Sequence, residues 1–295
     1  MSGGMSGGMS GGMSGRLGFV DKRLDANNFH ANVYLRLLRN DLIELGFTVA
    51  GCTALEAEPG RDWARDNDVP WFDTVAAMDE HVDFYVVLAP SNPEIHLELC
   101  QQVLPFGKAT YVDKTFAPDS VTAQAIFALA DKYGVAIQTS SALRYTDVQK
   151  SVIDAGGSDR VLHMVAWGGG SSFDEYAIHP VELVVSSMGD GVQRLRRWSP
   201  APRSRLLLEW SDGRTALIHV HTDGGTTPYA ASVTTATETR FVAVDTSTIF
   251  RDTARAFLLC FARKQANVPR SQTLTVHRIL DAARRDEALR DFVDI

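Results

Sequence analysis

The stretch that decides the fold is residues 82–117, which read VDFYVVLAPSNPEIHLELCQQVLPFGKATYVDKTFA. Its first part, residues 82–89, is almost continuously apolar, as expected for a parallel strand that is buried on both faces. A helix is predicted to follow, and a second short strand at residues 109–112 comes after it. This order of strand, helix and strand predicts a unit of parallel β-sheet.

The same alternation continues on both sides of that stretch. Asn28 is a plausible N-cap for a helix whose apolar stripe ends at Gly46. The further predicted elements of this half are strands at 17–20, 47–52 and 135–139 and a helix around 121–133. We therefore predict a Rossmann-type, doubly wound parallel sheet in the N-terminal half of the chain.

The pattern changes after about residue 150, where strands follow one another without intervening helices. The predicted strands are 161–167, 205–210, 215–222, 230–237 and 240–244, with helices near 180–188, 253–264 and 274–290. Such a run favours a largely antiparallel sheet in a C-terminal α+β domain, so the fold class is α/β with two domains. We expect a disordered Gly/Ser/Met-rich leader at 1–15, a dinucleotide-binding domain at 16–142 and a substrate and oligomerisation domain at 143–295. The last helices are expected to pack back on the first domain.

The composition excludes several classes of protein. The chain has 295 residues and a net charge of −7, which gives no general attraction to nucleic acid or to an anionic membrane. No stretch reaches the roughly 20 apolar residues of a membrane helix, and the N-terminus does not read as a signal peptide. Three widely spaced cysteines suggest thiols in a reducing compartment, so we expect a cytoplasmic protein. No tight ligand motif is present, and no metal site is predicted.

Three segments carry a resemblance to a known family. In residues 82–117, Asp113-Lys114-Thr115 stands where the Gfo/Idh/MocA oxidoreductases have Glu-Lys-Pro. SSALRYTD (140–147) is similar to the linker that enters the substrate domain of that family. EYAIHPVELVVSSMGD (175–190) resembles the family helix that carries the cleft histidine. The segments occur in the family's order and together cover most of the chain.

The resemblance implies an NAD(P)-dependent oxidoreductase that acts on a CH–OH group of a sugar, cyclitol or related polyhydroxylated molecule. It assigns catalysis to Lys114 and His179, with Glu175 placed to orient the imidazole or to bind a hydroxyl. Proton removal and stabilisation of an oxyanion are the tasks that an imidazole and an ammonium group perform. A surface lysine and a core histidine are the plain structural alternatives.

The cofactor residues that the resemblance implies are Asp21, Asn27, Asn28, Thr53, Ala89, Pro90, His96 and Lys114. The first loop departs from the family, because no glycine lies between Gly18 and Gly46 and Asp21 stands where the first loop glycine is expected. A glycine-rich loop lets the backbone approach the pyrophosphate of NAD or NADP. The two asparagines tolerate left-handed geometry and could partly replace glycine.

The predicted substrate contacts are Arg144, Tyr145, Trp167 and Tyr176. An interdomain salt bridge and a place in the core are equally ordinary roles for these residue types. The missing glycines keep two alternatives open, a non-redox lyase or isomerase in the same cleft and a non-enzymatic binding subunit. In each case a homodimer or homotetramer is expected to form through the C-terminal sheet.

Overall fold

A computed structural model describes residues 14–295 of the chain. The predicted leader lies outside the described residues, apart from its last two positions. Gly15, one of these two, is the first residue of the first strand.

The N-terminal half forms a five-stranded parallel sheet in the order β2-β1-β3-β4-β5. This confirms the predicted Rossmann-like sheet. Its strands are β1 (Gly15–Asp21), β2 (Phe47–Ala54), β3 (Phe84–Val87), β4 (Thr110–Val112) and β5 (Ile137–Gln138). Its helices are α1 (Phe29–Arg39), α2 (Ala57–Asp66), α3 (Val75–Asp79), α4 (His96–Val103) and α5 (Ser120–Lys132). The strand order reverses between β1 and β3, and ligands of such sheets bind beyond the carboxyl ends of the strands near this point.

Helix α1 begins as the sequence predicts and ends earlier. The Asn28 side chain caps it by accepting a hydrogen bond from the Ala31 N–H, at 3.0 Å. The helix stops at Arg39 because the backbone of Asn40 leaves the helical region, with φ of −124° and ψ of −79°, while its side-chain amide donates to the Arg36 carbonyl at 2.8 Å. A short 3₁₀ turn then leads to Gly46, which takes a left-handed conformation with φ of 70°.

The C-terminal half forms a seven-stranded sheet in the order β11-β10-β6-β9-β8-β7-β12. Its strands are β6 (His163–Gly169), β7 (Val192–Trp198), β8 (Arg203–Trp210), β9 (Thr215–His221), β10 (Ala230–Thr234), β11 (Thr239–Ala243) and β12 (Val293–Asp294). All neighbours are antiparallel except β6 and β9, so the largely antiparallel sheet is confirmed. The sequence did not predict β7, because its VQRLRRW stretch buries only Val192 and Leu195.

The remaining helices join the two halves. They are α6 (Asp147–Asp154), α7 (Phe173–Tyr176), α8 (Ile178–Met188), α9 (Ile249–Arg263) and α10 (Arg270–Arg284). Helix α8 lies against β6, while α9 packs on α1 and places Phe257 and Phe261 in the core of the first half. Helix α10 contacts both α5 and α8. These contacts bring α8 toward the carboxyl edge of the parallel sheet. Within residues 14–295, no helix is long and apolar enough to cross a membrane.

Candidate active site

A cavity of about 700 Å³ lies between the carboxyl edge of the parallel sheet and the second half of the chain. Lys114 enters it from the segment after β4, and His179 enters it from the first turn of α8. Its lining consists of Phe29, His30, Tyr34, Asp113, Lys114, Ala142, Leu143, Tyr176, His179, Thr226, Thr227, Pro228, Tyr229, Val244, Thr246, Ile249 and Phe250. The structure therefore brings Lys114, His179 and Tyr176, three residues singled out in the sequence, to one cavity.

Lys114 is 8% exposed and borders both this cavity and a smaller one beside it. Its backbone N–H donates to the Asp113 carboxylate at 2.8 Å, whereas its Nζ has no hydrogen-bond partner within the described residues. Burial lowers the pKa of the ammonium group, and the charges of Asp113 and Glu175 oppose that effect in part. The cation thus faces the cavity with its donors free.

His179 is fixed by a serine from the first half of the chain. Its Nδ1 lies 2.7 Å from Oγ of Ser141, which follows β5. The Ser141 N–H donates to Glu182, one turn further along α8, so Ser141 contacts this helix through both its hydroxyl and its N–H. Burial, and then the charges of Lys114 and His30, hold the pKa of His179 well below its usual range. The imidazole is therefore neutral near neutral pH.

A second imidazole, which the sequence did not single out, also lines the cavity. His30, the second residue of α1, places Nδ1 at 2.5 Å from Oδ2 of Asp113. Asp113 is 1% exposed and also accepts from the Lys114 N–H and the Tyr111 hydroxyl. Burial alone would raise the pKa of Asp113, but the adjacent His30 and Lys114 outweigh it and lower the pKa. The position of Asp113 directly after a parallel strand was a usable signal, whereas nothing local marked His30.

Aromatic rings form much of the remaining wall. The rings of Tyr176 and Tyr229 contact His179 edge to face, with centroids 5.7 Å and 6.0 Å away. Phe250 stands perpendicular to His30 at 5.4 Å. Polar groups therefore converge on a cavity with a largely aromatic lining, an arrangement that suits a small molecule with both hydroxyls and apolar ring faces.

The smaller cavity, of about 350 Å³, collects most of the predicted cofactor residues. Asp21, Asn27, Asn28, Ala89, Pro90 and Lys114 line it, together with Glu175. The Glu175 carboxylate accepts hydrogen bonds from Ser91 and Ser171 and makes no hydrogen bond to His179. Thr53 borders a third cavity of about 210 Å³, separate from the first. His96 is fully buried, and its ring nitrogens lie within hydrogen-bond distance of the Leu88 and Phe116 carbonyls.

The groove that a dinucleotide would occupy is bridged. The Leu55 N–H, just after β2, donates to the carbonyl of Asp21, the last residue of β1, at 3.1 Å and so extends the ladder between the two strands. The next N–H, of Glu56, donates to the Lys22 carbonyl in the loop after β1 at 2.9 Å. The Arg23 guanidinium closes the same gap with an ion pair to Glu56 at 2.7 Å. In a dinucleotide-binding domain the pyrophosphate lies against the loop after β1, and a residue near the end of β2 binds the ribose, so the ligand would lie over these two loops.

The local charges and caps also oppose a pyrophosphate. The Asn28 side chain occupies the N-terminus of α1 and donates to Asp21 at 2.9 Å, so this cap competes with an anion for the helix end. Burial raises the pKa of Asp21 to about 6, so this carboxylate is mostly ionised at neutral pH. Asp25 adds a second carboxylate beside it. The residues present do not fit a dinucleotide in the position that the fold assigns to it.

Three of the four predicted substrate contacts lie away from the larger cavity. Arg144 is turned into the core, where it pairs with Glu182 at 2.7 Å and also donates to Gln272. The Tyr145 hydroxyl is buried beside it and lacks a partner within the described residues. Trp167 points to the other face of the second sheet, stacked on His219 at 5.9 Å. In residues 14–295, no three His, Cys, Asp or Glu side chains are grouped as metal ligands.

Comparisons with solved structures agree with this architecture. GenD2 from gentamicin A biosynthesis, crystallised with NAD, is 15% identical with a TM-score of 0.77, and the match covers 97% of this chain and 98% of that one. Myo-inositol 2-dehydrogenase from Lactobacillus plantarum is 15% identical with a TM-score of 0.77 over 96% and 99% of the two chains. Scyllo-inositol dehydrogenase from Lactobacillus casei, with NAD(H) and scyllo-inositol bound, is 11% identical with a TM-score of 0.77 over 95% and 99%.

The chain therefore has the fold of the Gfo/Idh/MocA-type sugar and inositol dehydrogenases, as its sequence motifs predict. No protein-family model matches the chain, and no curated protein matches it in sequence. At identities of 11–15% the likeness concerns the fold, and the activity must be argued from the site.

Proposed function

We propose that the protein is an enzyme that moves protons on a sugar-like or cyclitol-like carbonyl compound, in a non-redox isomerisation or elimination. One observation carries this proposal. An ammonium group and two imidazoles converge on one interdomain cavity, while the loops beside it are joined across the dinucleotide groove. Such a cavity holds the groups for acid–base chemistry and for stabilising a negative oxygen.

Two observations support the proposed substrate class. The aromatic walls beside His179 and His30 offer stacking surfaces to a ring, and the free donors of Lys114 offer hydrogen bonds to its oxygens. The fold is also shared with dehydrogenases of inositols, one of them crystallised with scyllo-inositol. A ketone or aldehyde flanked by hydroxylated carbons fits both supports.

The second candidate is the NAD(P)-dependent oxidation or reduction of a CH–OH group that the resemblance implies. Solved structures of the same fold that contain NAD favour it. In this reaction the nicotinamide would supply hydride chemistry, and Lys114 and His179 would hold and deprotonate the substrate hydroxyl. The bridged groove is the observation that places this candidate second.

Two measurements separate the candidates. Calorimetric titration with NADH and NADPH is expected to show no binding at millimolar cofactor. In D₂O, proton NMR is expected to show loss of the hydrogens next to the carbonyl of 2-keto-myo-inositol or D-fructose. Replacing Lys114 by Met should abolish that exchange, whereas the same change at the exposed Lys132 should leave it intact. Tight binding of either cofactor would instead favour the oxidoreductase.

We further propose that the outer face of the second sheet joins copies of the chain. Phe241 on β11 is 65% exposed, and its ring centroid lies 6.0 Å from that of Trp167. The two rings form an apolar patch that no other element covers within residues 14–295. Sedimentation of the wild-type protein should give a dimer or tetramer, and Phe241→Asp should shift it toward the monomer. A monomeric wild-type protein would contradict this proposal.

A further inference from the structure

The hydrogen-bond network around His179 assigns its tautomer. Ser141 is fully buried, and its Oγ accepts from the Leu143 N–H at 3.2 Å. A hydroxyl has one hydrogen to donate, and His179 Nδ1 is the one acceptor that the described residues offer to it. Nδ1 therefore accepts, and the hydrogen of the neutral ring resides on Nε2.

The network around His30 assigns the opposite tautomer. Asp113 is ionised and already accepts from the Lys114 N–H, so its carboxylate accepts again from the ring of His30. Nδ1 of His30 is therefore the donor, and whenever the ring is neutral its lone pair lies on Nε2. Within residues 14–295 this Nε2 has no hydrogen-bond partner, and His30 lines the cavity. An imidazole held by a carboxylate in this way is oriented to accept a proton.

The two rings reach the cavity from separate halves of the chain. His30 belongs to α1 of the first half and His179 to α8 of the second, while Lys114 borders the cavity from the end of β4. A molecule in the cavity therefore contacts one ring with a lone pair and another with an N–H. The free ammonium donors lie beside both.

We propose that the site divides its chemistry between the two imidazoles, with His30 Nε2 as the base toward carbon and His179 Nε2–H as a donor to oxygen. This inference rests on the proposed function and deepens it. His30 takes the proton from the carbon next to a carbonyl. The C–H electron pair forms a C=C bond, and the carbonyl electron pair moves to the oxygen. The resulting enolate oxygen is held by the Lys114 ammonium and the His179 N–H.

The protons balance without a further reactant. In an isomerisation, the enolate oxygen first gains a proton through Lys114 and solvent. The neighbouring hydroxyl then loses its proton by the same route. The His30 imidazolium returns its proton to the former carbonyl carbon. In an elimination, the enolate electron pair re-forms the carbonyl, a C=C bond forms between the α- and β-carbons, and the C–O bond to the β-hydroxyl breaks. That hydroxyl takes a proton from the Lys114 ammonium and departs as water. His30 and Lys114 then return to their starting states by proton exchange with solvent.

The first test reads the tautomers without any substrate. Long-range ¹H–¹⁵N correlation spectra of the ¹⁵N-histidine protein should show the hydrogen on Nδ1 of His30 and on Nε2 of His179. Spectra of His30→Gln and His179→Gln assign the two rings among the eight histidines. Ser141→Ala should release the His179 ring to a mixture of tautomers and leave the His30 signals in place. A lone pair on Nε2 of His179 in the wild-type protein would overturn the inference.

The second test asks whether His30 is the base that removes the proton from carbon. Glutamine at position 30 retains a donor for Asp113 and lacks a basic nitrogen, so His30→Gln should reduce deuterium exchange into 2-keto-myo-inositol by at least about 100-fold, as expected for loss of a general base. His163→Gln is the matched control, since His163 lies on β6 and bonds Thr215 away from the cavity. Exchange that survives in His30→Gln overturns the inference. No exchange by the wild-type protein, with both tautomers as assigned, contradicts the proposed function and leaves the tautomers standing.

Discussion

The guanidinium of Arg23 and the carboxylate of Glu56 form an ion pair, with 2.7 Å between Nη1 and Oε2, that ties the loop after β1 to the loop after β2. Both side chains are largely exposed, so the pair itself adds little stability. Its importance is positional, because two backbone hydrogen bonds from Leu55 and Glu56 run beside it. Together they link the two loops over which a dinucleotide would lie.

The buried carboxylate of Asp21 should make stability depend on pH in an unusual direction. Burial raises its folded pKa to about 6 from the ordinary 3.8, so the folded state binds the proton more tightly than the unfolded state does. The stabilisation from this group is complete below the ordinary pKa and is lost as the pH rises through about 6. Between about pH 4 and about pH 8, the free energy of unfolding of Asp21→Asn, measured with urea, should therefore rise by about 2–3 kcal/mol relative to that of the wild type.

Asp25 offers a control, because its contribution to stability should change with pH in the opposite direction. The hydrogen bond from Arg23 lowers its pKa, so its contribution is present at neutral pH and is lost as the pH falls. Asp25→Asn should lose stability relative to wild type as the pH rises. Parallel pH profiles for the two variants would contradict the burial of Asp21.

The Arg144–Glu182 pair is expected to be structural. Its side chains are 10% and 7% exposed, and Glu182 also accepts from the Ser141 N–H. Arg144→Met should leave the Glu182 carboxylate buried without its cation and cost about 3–5 kcal/mol of unfolding free energy. Arg203→Met, which removes an exposed pair with Asp223, should cost less than about 1 kcal/mol. Equal, small losses in both variants would contradict a structural role for the Arg144–Glu182 pair.

The amine of Lys114 should titrate below the exposed lysines. Because burial lowers its pKa, a larger fraction is neutral at any pH between the two values. The rate of acetylation by trace acetic anhydride, followed peptide by peptide with mass spectrometry, should therefore rise at lower pH for Lys114 than for Lys132. A profile for Lys114 that lies at higher pH than that of Lys132 would mean that Asp113 and Glu175 dominate its environment.

Gly170 is expected to set the position of the Tyr176 ring. A Cβ at residue 170 would lie only 2.2 Å from Cδ1 of Tyr176, so the ring would have to move from the cavity wall. Gly170→Ala should cost about 1–3 kcal/mol and impair deuterium exchange into 2-keto-myo-inositol. Gly225→Ala is the control, since a Cβ there meets no atom within 4 Å. Unchanged exchange in Gly170→Ala would show that the ring position is not required.

Local sequence patterns predicted a large part of this molecule. The continuously apolar run at 82–89 and the strand–helix alternation around it predicted the parallel sheet. Motif positions also selected Lys114 and His179, which the structure places on one cavity. Such signals work because periodicity and motif spacing depend on residues within a few turns or one strand of each other.

The pairings that define the site were decided by the tertiary structure. His30 meets Asp113 from 83 residues away, and the Arg144 guanidinium turns to Glu182, 38 residues on, instead of to the cavity. The closure of the dinucleotide groove likewise depends on contacts between the ends of β1 and β2. No local pattern encodes these choices, because each depends on which side chains the folded chain brings within hydrogen-bond distance and which alternatives burial removes.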